Sequence, residues 1–134
     1  MADSPLTGIA HIGLRVFELA RSRAFYDQLG FEFIMGPVGP EPIALLRHPA
    51  GIELNLILNG ISGDAGNMLM DAVDKHAGYT HVAFEVRDMA QTQEMLRTAG
   101  IAVTEGPIDF PGGARALFIR DPDRNVVELN QPAT

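Results

Sequence analysis

Two histidines and two glutamates recur in the same order in the two halves of the sequence. His11 is followed by Glu53, and His81 is followed by Glu128. Each of the four lies in a segment whose residue types alternate with a period of two, which predicts a β-strand. Imidazole and carboxylate groups are ligands for divalent metal ions. Two modules that face each other would bring these four side chains together, so the sequence predicts a metal site.

The order recurs because the sequence contains an internal repeat. Sliding the chain along itself until His11 falls on His81 aligns 9–33 with 79–103 without a gap. Few residues are identical, but apolar, charged and glycine positions keep their order. The chain is therefore expected to consist of two modules with the same fold.

Later in each half, a turn that contains proline precedes the segment that carries the glutamate. Glu-Leu-Asn at 53–55 matches Glu-Leu-Asn at 128–130, and this alignment gives the second turn two more residues than the first. Within the second turn, we expect Asn125 rather than Arg124 to adopt the left-handed conformation.

Each half predicts a strand, a helix and three further strands, with turns rich in Gly and Pro between them. Asp88 and Gln91 have the spacing of a capping box at a helix start, and Gly30 and Gly100 mark the two helix ends. The fold class is therefore α+β, with two βαβββ modules in one domain. The predicted strands are about 9–16, 31–35, 42–47, 52–58, 79–86, 101–105, 114–119 and 126–130, and the predicted helices are 18–29 and 89–99. The domain is predicted to consist of module 8–58, linker 59–78 and module 79–131, with a helical turn near 68–75 in the linker.

Both histidines are predicted to lie in the middle of a strand, on its more polar face. In the first strand, Ile12, Leu14 and Val16 share the opposite face, which a helix must cover. Glutamate is uncommon in strands, so its presence at matching places in both last strands needs an explanation. Metal binding provides one.

The composition narrows the kind of protein. The sequence has 134 residues, no cysteine and a formal charge of −7. Without cysteine there is no disulfide and no thiolate metal ligand, and an acidic chain is poorly suited to nucleic acid or an anionic membrane. No apolar run is long enough to span a bilayer, and the first residues do not resemble a secretory signal. We expect a cytoplasmic protein that acts on a small molecule.

Several sequence motifs resemble those of a known family. They are Ala-His-Ile-Gly-Leu-Arg-Val at 10–16, Arg-Ala-Phe-Tyr at 23–26 leading to Leu-Gly-Phe at 29–31, Thr-His-Val-Ala at 80–83, and Phe-Ile-Arg-Asp-Pro-Asp at 118–123 followed by Val-Glu-Leu at 127–129. Together they resemble the vicinal oxygen chelate superfamily, which includes glyoxalases, bleomycin resistance proteins and extradiol dioxygenases.

This resemblance implies that the two modules form a cupped mixed sheet around one divalent metal ion. It assigns the ligand positions to His11, Glu53, His81 and Glu128. It also implies a homodimer, and in some members the ligands of one site come from two chains. Two imidazoles and two carboxylates, with no sulfur, suit Ni²⁺, Co²⁺, Zn²⁺, Mn²⁺ or Fe²⁺.

Four protein ligands leave two positions of an octahedral ion open for a chelating substrate. Such an ion polarises a carbonyl group, and a carboxylate removes the proton from the adjacent carbon. We assign this base role to Glu128, with Glu53 as a fellow ligand and second candidate base. The leading hypothesis is a divalent-metal-dependent, glyoxalase-like lyase or isomerase that acts on a small carbonyl compound or its thiol adduct.

The resemblance to glyoxalase I extends to substrate contacts but is incomplete. His11 and Arg15 have the His-x-x-x-Arg spacing in which the arginine helps to hold a glutathione carboxylate. Where that family commonly has asparagine, four residues after its first glutamate ligand, this chain has Ile57, with Asn55 on the same face. In a later glycine-rich loop, Arg115 is a candidate to meet an anionic group. The predicted substrate-binding residues are Arg15, Asn55 and Arg115, and lactoylglutathione lyase is one activity among several.

Two alternatives from other classes stay open. Extradiol dioxygenases of the superfamily use a His-His-Glu triad, here His11, His81 and Glu128, so a carboxylate at Glu53 favours the non-redox hypothesis. Epimerases that act on acyl-CoA thioesters typically carry glutamine at the place of Glu53. Members that only bind or sequester a drug lack the metal ligands, so the intact set argues against that role, although the acidic charge suits a cationic drug.

Overall fold

The first half of the chain folds as a βαβββ module, and the second half repeats it. A computed structural model describes residues 3–62 and 66–134, and the chain divides into two compact units, 1–61 and 62–134. The elements are β1 (Ile12–Arg15), α1 (Leu19–Gln28), β2 (Glu32–Val38), β3 (Ile43–His48) and β4 (Ile52–Ile57) in the first unit, and β5 (Val82–Glu85), α2 (Met89–Ala99), β6 (Val103–Asp109), β7 (Arg115–Arg120) and β8 (Val126–Gln131) in the second. These elements confirm the predicted α+β fold with two βαβββ modules, whereas their union in one domain stays a prediction.

In the first unit, four strands form one sheet in the order β1-β4-β3-β2. β1 runs parallel to β4, and the other neighbours are antiparallel. Leu54 and Leu56 are fully buried, because alternate residues of a strand share one face. Helix α1 contributes Tyr26, whose ring packs edge-on against Phe31 with 5.9 Å between centroids.

The second unit has the same topology, with the sheet order β5-β8-β7-β6. Leu117 and Val127 are fully buried in its core. Helix α2 begins as predicted, because the Asp88 side chain accepts a hydrogen bond from the backbone N–H of Gln91 at 2.9 Å. It ends at Gly100, whose φ of 73° is left-handed. Within the described residues, no helix is long and apolar enough to cross a membrane.

β1 and β5 begin later than the sequence predicts. The parallel pairing of β1 starts at Ile12 and that of β5 at Val82, so His11 and His81 each lie one residue before a strand. The prediction that they lie in mid-strand is therefore wrong. Among the described residues, each of these strands lies at the edge of its sheet and pairs with one neighbour, so fewer hydrogen bonds hold it than its hydrophobic pattern suggests.

The turns that precede β4 and β8 have the same length. Arg47 pairs with Glu53 across the first turn, and Arg120 pairs with Val126 across the second. The two extra residues predicted for the second turn are therefore wrong. In the ladder of hydrogen-bonded strands, Glu53 corresponds to Val126.

By the same comparison, Asn55 in the first module corresponds to Glu128 in the second. Asn55 pairs with Gly13 of β1, and Glu128 pairs with Ala83 of β5. Gly13 and Ala83 each follow the histidine of their module by two residues. The identical letters Glu-Leu-Asn suggested another alignment, but turn geometry sets the register of the strands.

The left-handed residue of the second turn is Arg124, with φ of 69°, and the prediction of Asn125 is wrong. Both the backbone N–H and the side-chain amide of Asn125 donate to the buried carboxylate of Asp121, at 2.8 and 2.9 Å. In the first turn, Gly51 takes the equivalent place with φ of 87°. The N–H groups of Gly51 and Arg124 donate to the carbonyls of His48 and Asp121, each at 2.9 Å.

The segment before β5 forms turns rather than a helix. The helical turn predicted near 68–75 is limited to one hydrogen bond of helical spacing, from Asp71 N to Asn67 O at 2.7 Å. The Asp71 carboxylate accepts a hydrogen bond from Arg120 Nη2 at 2.8 Å. The Arg120 side chain is only 5% exposed, so this ion pair attaches the segment to β7 within the second unit.

Candidate metal centre

His81 and Glu128 of the second unit form a close pair. His81 Nε2 lies 3.0 Å from Glu128 Oε1, and the two side chains are 28% and 13% exposed. Two ligands that bind a metal ion at right angles, each ~2.1 Å from it, lie ~3.0 Å from each other. One imidazole and one carboxylate at this separation therefore fit neighbouring positions around a divalent ion.

Neighbouring side chains hold both members of the pair in place. Thr80 Oγ1 lies 2.8 Å from His81 Nδ1, and Asn130 Nδ2 donates to Glu128 Oε2 at 2.8 Å. The Phe118 ring packs edge-on against the imidazole, with 5.3 Å between centroids. Such outer contacts fix the orientation of metal ligands, and they leave His81 Nε2 and Glu128 Oε1 facing each other.

The corresponding residues of the first unit have different partners. His11 is exposed and lies just before β1. Glu53 Oε1 accepts two hydrogen bonds from Arg47, from Nη2 at 3.0 Å and from Nε at 3.1 Å. Asn55 is half-buried in β4, and within the described residues its side chain makes no hydrogen bond. Glu53 is thus paired with a cation, whereas Glu128 is paired with an imidazole.

The two arginines predicted to bind substrate are both paired with carboxylates at the surface. Arg15 donates from Nε to Asn59 Oδ1 at 2.8 Å and from Nη2 to Glu41 Oε1 at 2.7 Å. The hydrogen bonds from Asn59 and Arg15 hold the pKa of Glu41 below its usual range. Arg115 donates from Nε to Asp109 Oδ1 at 2.7 Å. An anionic substrate would therefore meet a carboxylate already bound at either arginine.

Four residues that contact the candidate ligands were not predicted from the sequence, namely Arg47, Thr80, Phe118 and Asn130. Asn130 follows Glu128 by two residues in one strand, so it lies on the same face, and this spacing is a signal that sequence analysis can use. Arg47 contacts Glu53 through the register of β3 and β4, which the sequence left open.

The four predicted ligands are divided between the two units. His11 and Glu53 belong to 1–61, and His81 and Glu128 belong to 62–134. In the part of the chain that the structure describes, no group of three or more His, Asp or Glu side chains is arranged to hold a metal ion. The meeting of the two halves around one ion stays a prediction.

A sequence profile, a curated relative and solved structures are all similar to this chain over nearly its whole length. The sequence profile of the Glyoxalase/Bleomycin resistance protein/Dioxygenase superfamily matches residues 8–129. The chain is 32% identical over 130 residues to a lactoylglutathione lyase from Haemophilus influenzae, with 90% of each chain covered. Among solved structures, a glyoxalase family protein from Bacillus cereus matches with a TM-score of 0.72 and 20% identity, over 100% of this chain and 99% of that chain. An antibiotic-binding protein from a Streptomyces species matches with a TM-score of 0.74 and 21% identity, over 98% and 100% of the two chains. These two structures share the fold.

Proposed function

The chain belongs to the glyoxalase/bleomycin resistance protein/dioxygenase superfamily, and on this premise we propose that it is a divalent-metal-dependent, glyoxalase-like lyase or isomerase. Its proposed substrate is a small carbonyl compound or the thiol adduct of one. The proposed metal ligands are His11, His81, Glu128 and one oxygen donor from β4, for which the sequence predicts Glu53. A homodimer in the cytoplasm stays a prediction.

The observation that carries this proposal is the His81–Glu128 pair, with 3.0 Å between nitrogen and oxygen. Thr80 and Asn130 bind the far sides of the two groups, so His81 Nε2 and Glu128 Oε1 are directed to the same place. Imidazole nitrogen and carboxylate oxygen are the donor types that borderline divalent ions prefer.

The chemistry follows from the environment of Glu128. A bound divalent ion supplies Lewis acidity that polarises the substrate carbonyl. Glu128 would leave the ion so that its Oε1 accepts the proton from the adjacent carbon, while Asn130 holds Oε2. Because the Glu128 side chain is 13% exposed, bulk water has little access to the transferred proton. Glu128 returns that proton to the neighbouring atom of the substrate. The isomerisation is then complete, and neither the protein nor the substrate has gained or lost a proton.

The narrower activity that we propose to assay first is that of lactoylglutathione lyase. A relative with this name is 32% identical over nearly the whole chain. Arg15 supports recognition of a glutathione carboxylate, which would compete with Glu41 for its guanidinium. Arg115 and Asn55 are the further substrate contacts that we propose.

The test combines metal dependence with one variant. The purified chain is treated with a chelator, reloaded with Ni²⁺, Co²⁺, Zn²⁺ or Mn²⁺, and assayed with the adduct of glutathione and methylglyoxal. We expect loss of activity on chelation, recovery with at least one ion, and at least about 10-fold weaker metal binding by His81→Ala. His76→Ala, at an exposed histidine of the segment before β5, is the matched control. Metal binding that His81→Ala leaves unchanged contradicts the proposal.

A second candidate function is a ring-cleaving dioxygenase. The pairing of Glu53 with Arg47 supports it, because removal of Glu53 from the ligand set leaves His11, His81 and Glu128, the triad of the dioxygenases in this superfamily. Oxygen uptake with a catechol and Fe²⁺, absent with Ni²⁺, would favour this candidate. Stoichiometric binding of a small molecule without turnover under either condition would favour a resistance or binding protein instead.

A further inference from the structure

We propose that Asn55, rather than Glu53, supplies the oxygen with which the first module binds the metal ion. This inference rests on the proposed metal-dependent function, changes one of its four ligands, and moves Asn55 from the proposed substrate contacts to the metal ligands. Three observations carry it: the strand register of the two sheets, the ion pair of Glu53, and the Asn55 amide, which makes no hydrogen bond within the described residues.

The strand register gives Asn55 the place that Glu128 has in the second module. Each pairs with the residue two positions after its module's histidine, Gly13 for Asn55 and Ala83 for Glu128. Each therefore lies diagonally across a parallel strand pair from that histidine, on the same face of the sheet. In the second module this diagonal is the 3.0 Å contact of histidine and glutamate. The first module offers the same position with an amide oxygen in place of a carboxylate.

Glu53 is less suited to the ion because Arg47 already neutralises it. Both Nε and Nη2 of Arg47 donate to Glu53 Oε1, and the two side chains face solvent, at 51% and 35% exposure. A dication bound by the same carboxylate would lie a few ångströms from the guanidinium and repel it. Val126, which corresponds to Glu53 in the second module, carries no donor atom at all.

The Asn55 amide is available for the role. Asparagine is depleted from strands, so its presence in β4 needs an explanation, and its side chain makes no hydrogen bond within the described residues. The carbonyl oxygen of asparagine is a common ligand of divalent cations. A neutral ligand there would leave Glu128 as the single carboxylate on the ion, which keeps more of its positive charge available to polarise a substrate.

The test measures Co²⁺ binding to the metal-free chain by titration calorimetry, which needs no substrate. We expect Asn55→Ala to weaken binding at least about 10-fold and Glu53→Gln to change it less than about 3-fold. Asn55→Asp, which keeps the shape and adds a charge, should bind Co²⁺ about 10-fold more tightly. Far-ultraviolet circular dichroism and the urea midpoint confirm that each variant is folded. Equal weakening by Asn55→Ala and Glu53→Gln, a larger loss in Glu53→Gln, or no loss in Asn55→Ala overturns the inference.

Arg47→Met gives a test of opposite sign. If Asn55 is the ligand, removal of the guanidinium takes a positive charge away from the site, and Co²⁺ binding stays equal or becomes tighter. If Glu53 is a ligand that Arg47 orients, the same change weakens binding about 10-fold, and the inference is wrong.

Failure of this inference can be told from failure of the proposed function. The proposed function fails if His81→Ala and Glu128→Gln both leave the Co²⁺ titration unchanged, because the chain then has no such site. The inference alone fails if His81→Ala weakens binding whereas Asn55→Ala does not.

Discussion

The two modules share a backbone plan and differ in the partners of their acidic side chains. Both sheets have the same strand order, and their turns before β4 and β8 have equal length. In the second module, Glu128 bonds to His81 and Asn130. In the first module, Glu53 bonds to Arg47.

This difference shows that the two halves of a duplicated protein can keep their strand ladders while the chemistry on them diverges. The half-buried His81–Glu128 pair of the second module suits proton transfer, because the Glu128 carboxylate is oriented by its neighbours and shielded from water. The exposed ion pair of the first module suits neither metal binding nor proton transfer, and the nearby Asn55 amide is neutral. We therefore expect the second module to perform the chemistry and the first to complete the ligand set.

Replacement of the proposed base should have the largest effect. A general base contributes about 10²–10⁴-fold to a rate, so Glu128→Gln should lower kcat by a factor in this range. Glu53→Gln, the matched change in the first module, should lower kcat less than about 10-fold, because its carboxylate is held by Arg47. The measurement is steady-state kinetics with metal content checked in each variant. Equal losses in kcat would show that the modules share the base role.

Replacement of Gly36 in β2 and of Gly106 in β6 should show that the two modules depend on the same close backbone contact. A Cβ atom would lie 2.4 Å from Ile43 O at Gly36 and 2.8 Å from Ala116 O at Gly106, both at positive φ. Neither backbone can move away, so Gly36→Ala and Gly106→Ala should each lower the free energy of unfolding by about 3 kcal/mol. Urea denaturation measures this.

The control for these two variants is Gly13→Ala in β1. Its Cβ would meet Ile57 Cδ1 at 3.7 Å, an ordinary contact, so the change in the free energy of unfolding should stay within about 1 kcal/mol. If Gly13→Ala costs as much as the other two variants, backbone crowding is not the reason for their effect.

The next largest effect concerns the buried arginine of the second module. Hydrogen bonds from Arg120 are the main cause that lowers the pKa values of Asp71 and Glu105 below their ordinary values of 3.8 and 4.5. Carboxylates with lowered pKa values stabilise the fold above the ordinary values, and this stability is lost as the pH falls through the lowered ones. Arg120→Met should therefore reduce the loss of stability between about pH 5 and pH 3, by about 1 kcal/mol after solvent screening.

Arg47→Met is the matched change in the first module. The Arg47–Glu53 pair is exposed to solvent, so its removal should alter the free energy of unfolding by less than about 0.5 kcal/mol. Urea midpoints at several pH values measure both arginine variants. If the free energies of unfolding of Arg120→Met and Arg47→Met depend on pH in the same way, the two modules do not differ in their ion pairs as proposed.

Sequence analysis predicted the elements of both modules because it used local signals. The alternation in β4 and β8, the Asp88 cap and Gly100 each depend on residues close in the chain, and all are present in the structure. The sequence also singled out His81 and Glu128, whose side chains lie 3.0 Å apart in the structure, and their role as metal ligands stays a prediction.

Strand register and ion pairing could not be predicted in the same way. Register depends on the conformation of the turn, and the repeated letters Glu-Leu-Asn concealed that Asn55, not Glu53, corresponds to Glu128. The Arg47 contact follows from that register, because Arg47 and Glu53 face each other across β3 and β4. The starts of β1 and β5 were predicted too early, because the hydrophobic pattern does not show where an edge strand loses its partner.

The smallest expected effect comes from the one place where the turns before β4 and β8 differ in conformational strain. Arg124 has φ of 69° and Gly51, its counterpart, has φ of 87°. A left-handed backbone costs a residue with a side chain roughly 1–2 kcal/mol, and the greater freedom of glycine in the unfolded chain offsets part of any gain. Arg124→Gly should therefore raise the free energy of unfolding by about 0.5–1 kcal/mol, whereas Gly51→Ala, which meets no atom within 4 Å, should lower it by about 1 kcal/mol. Urea denaturation of the two variants measures both signs. A loss of stability in Arg124→Gly would mean that contacts of the Arg124 side chain outweigh the strain, and the two turns would then be equivalent in length but not in what stabilises them.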